Sequence, residues 1–370
     1  MRKHRATLAF VVAGLTLATS ARADDMDPTP ERLVNQPPGL PPGETCQSVA
    51  ANPGPIAAAG LRPQSFACRP NNLAFANMMS ELGFAIAPTA FYPARTTGIA
   101  GFQVSLEASY TRISADRSVD AGNGQFMQYW HYGTRGPQDP NTKHFSVVNS
   151  SPDSVLQVYA LKARKGLPLG FEIAGSFGYV SNTTLWVTGG DVRWSLLEGF
   201  RTGALGLLPD ISLGSGIRTL TGTSRFYLTT LGIDVRASKP ITLQDTSQII
   251  PSLGFQRLII FGDSNVMDAT PNVDALEQCG FSGLDPNTGV PVCRNKLPGG
   301  ADANHDFANN FTFDSVRIHR SRGMIALNYR YEIIWLGSQF AFDLTEPQDE
   351  NPQIVGKRQW TLSFEGGVHF

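Results

Sequence analysis

A chain of 370 residues is long enough for one large domain with an appendage. Its formal net charge of -1 excludes the basic field of a nucleic-acid binder. Charged side chains make up 16% of the residues, below the roughly 25% of soluble domains, and glycine reaches 37, a balance suited to strands that face an apolar solvent and turn tightly.

Residues 1–23 read as a secretory signal. Arg2, Lys3, His4 and Arg5 form a basic start, residues 8–18 an apolar stretch, and Ala21-Arg22-Ala23 a small-residue cleavage pattern, so the mature chain is expected to begin at Asp24. The apolar stretch is too short to span a bilayer as a helix, and no later uncharged run approaches the ~20 residues required. The cysteines fall into two local pairs. In an oxidising compartment the bridges Cys46–Cys68 and Cys279–Cys293 are the simplest connectivity; a metal site lacks a Cys-x-x-Cys and a neighbouring His at ligand spacing.

Residues 24–71 are rich in proline and glycine and show no period, which predicts an extended segment pinned by the first bridge. Residues 72–100 then open with a short amphipathic helix and a lead-in. Phe75, Met78, Met79 and Leu82 recur at helical spacing, with Asn72 placed to cap the helix and Gly83 to stop it.

From residue 101 the pattern changes to period two. Phe102, Val104, Leu106, Ala108 and Tyr110 share one face of a first strand, and Gln103, Ser105, Glu107, Ser109 and Thr111 the other. A second candidate, 155–163, has no clear outward face. A third sets Phe171, Ile173, Phe177 and Tyr179 against Glu172, and a fourth Trp186, Val192 and Trp194 against Asp191 and Arg193. The fifth carries Ile211, Leu213 and Ile217; the sixth opposes Leu231, Ile233 and Val235 to Asp234 and Arg236; the seventh, 249–261, is less regular. The eighth opposes Ile325, Leu327, Tyr329 and Tyr331 to Asn328, Arg330 and Glu332, and the ninth carries Phe340, Phe342 and Leu344. The tenth alternates without a break to the last residue, with Trp360, Leu362, Phe364, Gly366, Val368 and Phe370 on one face.

This closing strand resembles the C-terminal strand of Gram-negative outer-membrane β-barrel proteins, whose final Phe belongs to the signal read by the barrel-insertion machinery. The resemblance implies an all-β fold over residues 101–370: a transmembrane antiparallel up-and-down barrel in the outer membrane, with outer-membrane lipid and the barrel-assembly machinery as partners. Trp360, Leu362, Phe364, Val368 and Phe370 would form its membrane-insertion strand. About ten strands are expected, with eight or twelve as alternatives. Connection lengths agree, since the two longest gaps, 114–154 and 262–312, both follow odd-numbered strands and the even-to-odd gaps are short, as expected of extracellular loops and periplasmic turns. Residues 24–71 and the helix are then expected in the periplasm, the helix packed on the barrel mouth rather than as the alternative, a plug inside the lumen, because a narrow barrel leaves little room inside.

The inward faces collect Glu107, Glu172, Asp191, Arg193, Asp234, Arg236, Arg330, Glu332 and Glu365. In so narrow a barrel these groups are expected to pair and stiffen the wall rather than line a selective channel, with Glu365 finding a partner among Arg193, Arg236 and Arg330. Tyr110, Tyr179, Trp186, Tyr227, Trp335 and Trp360 lie at strand ends, where interfacial girdles are expected. His319-Arg320-Ser321 is similar to the His-x-Ser of outer-membrane phospholipases and lipid A deacylases, but Arg322 stands where those families carry Asn, and no partner for the His is identifiable. Asp302-Ala303-Asn304-His305-Asp306 opens like a calcium loop, yet Phe307 and Phe313 occupy the positions of the required Gly and acid, so a solvated acidic loop is expected. No cofactor motif is identified. The functions implied are a structural or small-solute transport role without enzymatic activity, with surface recognition by the long loops as the alternative and an acyl hydrolase using His319 and Ser321 as a remote one.

Overall fold

The computed structural model describes residues 26–51, 54–61, 63–89, 92–122, 124–138, 148–197, 208–244, 246–269, 281–284, 286–287, 291–293, 310–349 and 355–370. Ten long strands form a closed antiparallel barrel: β1 (Phe102–Arg112), β2 (Val155–Gly166), β3 (Phe171–Val180), β4 (Trp186–Leu197), β5 (Asp210–Thr221), β6 (Phe226–Ser238), β7 (Ser247–Ser264), β8 (Val316–Tyr331), β9 (Ile334–Asp343) and β10 (Trp360–His369). Each pairs with its successor, and β10 returns to β1 in a seam from Thr361↔Thr111 to His369↔Gln103. Inside the seam the hydroxyls of Thr111 and Thr361 lie 2.7 Å apart and those of Ser109 and Ser363 2.8 Å apart. Reciprocal backbone bonds between Phe102 and Phe370, 3.1 and 2.8 Å long, finish the rim. The terminal Phe thus satisfies an edge that lipid would otherwise leave unpaired.

The exterior follows the alternation. Every strand exposes a large apolar side chain outward, among them Leu106, Leu161, Phe177, Val192, Ile217, Ile233, Leu253, Ile325, Leu336 and Phe364. A belt of this kind around a closed barrel is stable in hydrocarbon and not in water. Phe177 and Trp186 stack at one rim of the belt and Phe171 and Trp194 at the other, with ring centroids 5.1 and 5.7 Å apart. Trp335 departs from the expected girdle. It is buried inside the barrel, where the Arg164 guanidinium lies 5.0 Å from its ring, because it shares the inward parity of Gln339, Ala341 and Asp343 on β9.

The mouth at Phe370, here the terminal rim, has short connections such as 167–170 and 332–333. The opposite, loop mouth carries the long ones, 113–154 and 265–315. The second long loop starts and ends later than expected because β7 continues to Ser264 and β8 begins at Val316.

The largest correction concerns helix α1 (Asn72–Ile86), which lies inside the barrel rather than on its mouth. Asn71, not Asn72, caps it by accepting the Ala74 amide at 2.9 Å. Gly83 does not end the helix. It lies a turn inside it, where a Cβ would run into the Ile260 side chain of β7. With Ala74, Ala76, Ser80 and Ala85, this glycine makes the helix thin enough for the lumen, which removes the spatial objection to a plug. From α1 the chain descends through the lumen, and Thr97 and Gly98 reach the terminal rim just before β1 begins.

It follows that residues 26–71 and the C-terminus cannot share a mouth, as a common periplasmic placement requires. The Met26 amide donates to Asn182 O at 3.0 Å in the β3–β4 turn, and Glu31 pairs with Arg225 of the β5–β6 turn at 3.2 Å. Both turns belong to the loop mouth. The Cys46–Cys68 bridge is present and ties the segment beyond them. Cys279 and residues 302–306 lie outside the described residues, so neither the second bridge nor the calcium-like stretch is placed.

Candidate functional site: the filled lumen

The lumen has two contrasting halves. Near the loop mouth its wall is apolar. Leu156 and Val158 of β2, Leu220 of β5, Leu228 of β6, Ile260 of β7 and Ile318 of β8 face α1, whose Phe75, Met78, Met79 and Leu82 complete a hydrophobic core. Phe75 stacks on Phe313 with ring centroids 4.5 Å apart. Polar anchors fix the rotation of the helix. Glu81, fully buried, accepts from Trp130 Nε1 at 2.8 Å and from the Ser114 amide at 2.9 Å, while Arg320 donates to Ser80 O at 2.9 Å. Arg320 is itself ion-paired with Asp343, both side chains fully buried, and its guanidinium lies 4.4 Å from the Phe84 ring.

Toward the terminal rim the wall turns polar, and the extended segment after α1 is held by its charges. Arg322 donates to Pro88 O, Arg236 to Tyr92 O at 2.8 Å and Arg193 to Pro93 O at 2.7 Å. Extended backbone away from sheet or helix has carbonyls with no internal partner, and buried guanidinium groups supply them. The Tyr92 ring lies between Arg164 and Arg193, at 4.4 and 4.8 Å from their guanidinium carbons. Thr89 donates to Glu107 at 2.8 Å, and the Thr97 amide to Glu172 at 2.9 Å.

Most expected luminal charges are where the alternation placed them. Glu107 pairs with Lys162, Asp191 with Arg218 at 2.7 Å, and Asp234 with Arg236 at 2.9 Å. Glu172 lies between Arg164 and Arg193, 3.5 and 3.6 Å away. Glu365 is luminal but accepts from Gln103 Nε2 at 3.0 Å rather than pairing with an arginine, because Gln103 lies diagonally across the β10–β1 seam. Glu332 is not luminal. It is an exposed residue of the β8–β9 turn with φ +49°, and Arg330 beside it is only partly buried at the rim. The sequence reading missed Lys162, Arg164, Arg218, Arg320 and Arg322. Arg218 was open to detection, because it sits one residue past Ile217 on the opposite parity.

On the outside, His319 and Ser321 both take the outward parity of β8. Ser321 Oγ accepts from Arg257 Nη1 at 2.7 Å, and among the described residues His319 Nδ1 has no hydrogen-bond partner.

No protein-family model matches the chain, and no curated protein matches it. Several solved structures do. Ail, the attachment invasion locus protein of Yersinia pestis, shares 9% identity over 73% of this chain and 99% of its own, with a TM-score of 0.23. The outer membrane protease OmpT from Escherichia coli shares 7% over 77% and 99%, with a TM-score of 0.27. The outer membrane protein OprG from Pseudomonas aeruginosa shares 11% over 74% and 98%, with a TM-score of 0.24. At such distances the overlaps carry no statement about activity. The closed hydrogen-bond ladder, the apolar belt and the tied terminal strand define the chain as a transmembrane β-barrel of the Gram-negative outer-membrane class.

Proposed function

We propose that this barrel is a closed scaffold that presents its N-terminal segment and long loops for recognition at the cell surface, rather than a passive solute channel. The observation that carries the reading is the occupied lumen: α1 fills the half near the loop mouth, and Pro88, Thr89, Tyr92, Pro93 and Thr97 are bonded to wall charges through the other half. Opening a path would strip Arg193, Arg236 and Arg322 of the carbonyls they donate to, at about 1–3 kcal/mol for each buried donor left without a partner. Barrels of this class keep short turns in the periplasm and long loops outside, which assigns the loop mouth, and with it residues 26–71, to the cell surface. The Cys46–Cys68 bridge then stiffens the displayed segment where oxidation preserves it.

An epitope inserted between Pro38 and Gly39, at an exposed turn, reads the display. Antibody staining of intact cells is expected, and staining only after permeabilisation would sink the assignment. In planar bilayers the intact protein should give no defined current steps. Steady stepwise conductance would return the reading to a channel, and raised permeability on deleting residues 270–305 would make that loop a gate.

A further inference from the structure

Arg257 breaks the apolar outer face of β7. It follows Leu253 and Phe255 at the same parity, both exposed, and is itself exposed, with a single hydrogen bond among the described residues, to Ser321 Oγ. The ladder carries this position across three more strands. Arg257 pairs with Ser321, Ser321 O accepts the Leu344 amide at 2.8 Å, and Phe342 pairs with Trp360, which sets Arg358 one outward step beyond that Trp. Arg257, Ser321 and Arg358 thus bring polar side chains to the belt's upper edge on either side of Leu344, just past Trp360, whose ring suits the headgroup layer. An open pocket of about 550 Å³ occupies it, lined by Arg257, His319, Glu346, Arg358 and neighbours.

Two guanidinium groups therefore face the pocket, and among the described residues neither is ion-paired. His319 Nδ1 is buried there and likewise lacks a partner. Every luminal arginine discussed above has a carboxylate or carbonyl partner, so unpaired cations on the membrane-facing wall stand out. Guanidinium groups bind phosphate through paired donors, and the solvent layer at this height is built of lipid headgroups.

We propose that the pocket formed by Arg257, His319 and Arg358 binds the phosphate of a lipid headgroup on the loop-mouth side of the membrane, with the acyl chains lying down the groove past Leu344 onto the belt. Arg257 and Arg358 hold the phosphate oxygens, His319 donates a further hydrogen bond, and Glu346, the one acidic group of the lining, limits affinity. The site lies outside the lumen and stands whether or not the barrel conducts. Its lipid belongs to the outer leaflet under the orientation proposed above.

Titrating the detergent-solubilised full chain with bisphosphorylated lipid A, its dephosphorylated form and inorganic phosphate, with bound species counted by native mass spectrometry, tests this. The phosphorylated lipid should bind in preference to both others. Arg257→Gln and Arg358→Gln should each weaken it about tenfold, the loss of one charge-assisted contact, and Glu346→Gln should tighten it. Unboiled gel migration checks that each variant is a folded barrel. Equal retention of both lipid forms by wild type and variants would overturn the proposal, as the pocket would then be ordinary annular surface. Occupancy by inorganic phosphate as strong as by the lipid would overturn a lipid as the source.

Discussion

The two halves of the lumen solve one problem, filling a ten-stranded barrel, by opposite means. Near the loop mouth, α1 satisfies its own backbone and offers the wall only side chains, so the wall can be apolar and stability comes from close packing. Toward the terminal rim the chain is extended, its amides and carbonyls need partners, and the wall supplies Arg193, Arg236, Arg322 and Glu172. The conformation of the plug thus dictates the polarity of the wall around it. Buried charge here is the complement of irregular backbone.

Three substitutions probe the contrast, in falling order of effect. Glu172→Gln should be the most damaging, because it leaves Arg164 and Arg193 buried without their shared carboxylate; about 3–5 kcal/mol is expected in urea unfolding of the refolded barrel. A loss under about 1 kcal/mol would mean that water, not protein, neutralises those arginines. Gly83→Val tests the packed half. Its new side chain must displace Ile260 or the helix, at about 1–3 kcal/mol, and should expose α1 to added protease while leaving the rim seam intact. An unchanged protease pattern would mean the contact is loose.

The smallest effect is expected at the mouth itself. Burial pushes the Glu31 carboxyl above the usual carboxylate range, against the opposing pull of Arg225 and Arg32. The folded form then holds the proton to higher pH than the unfolded one, so stability falls as pH rises from the ordinary carboxylate value to the raised one. Glu31→Gln should flatten that slope in a pH series of unfolding midpoints, raising the neutral-pH midpoint modestly toward the low-pH one. A slope that stays as steep would assign it to another group.

How much could be read beforehand follows the same division. Where the interior is polar and the exterior faces lipid, period-two alternation is unambiguous, and β1, β4, β6 and β10 were legible with their inward charges. β2 was not, because Leu156 and Val158 point inward at α1 while Tyr159 and Leu161 point outward, so both faces are apolar there. Arg320 and Arg322 were missed for a related reason. They lie on the part of β8 before Met324 that continues past the apolar belt, where outward residues are His319 and Ser321 and the alternation loses contrast. The helix was legible as a helix from its Phe75-Met78-Met79-Leu82 stripe. Its place inside the barrel was not, since an apolar stripe states what a helix needs to touch and not which surface provides it.

The path of the chain has a mechanical consequence. A strand joined at one end to the ring that encircles it, and at the other to a cross-linked lobe held at the loop mouth, is threaded through that ring. It cannot leave through the terminal rim without dragging the Cys46–Cys68 lobe through, nor through the loop mouth without unstitching β1. Closing the Gln103–Thr111 edge on Thr361–His369 around α1 is the route that needs no threading of a closed ring.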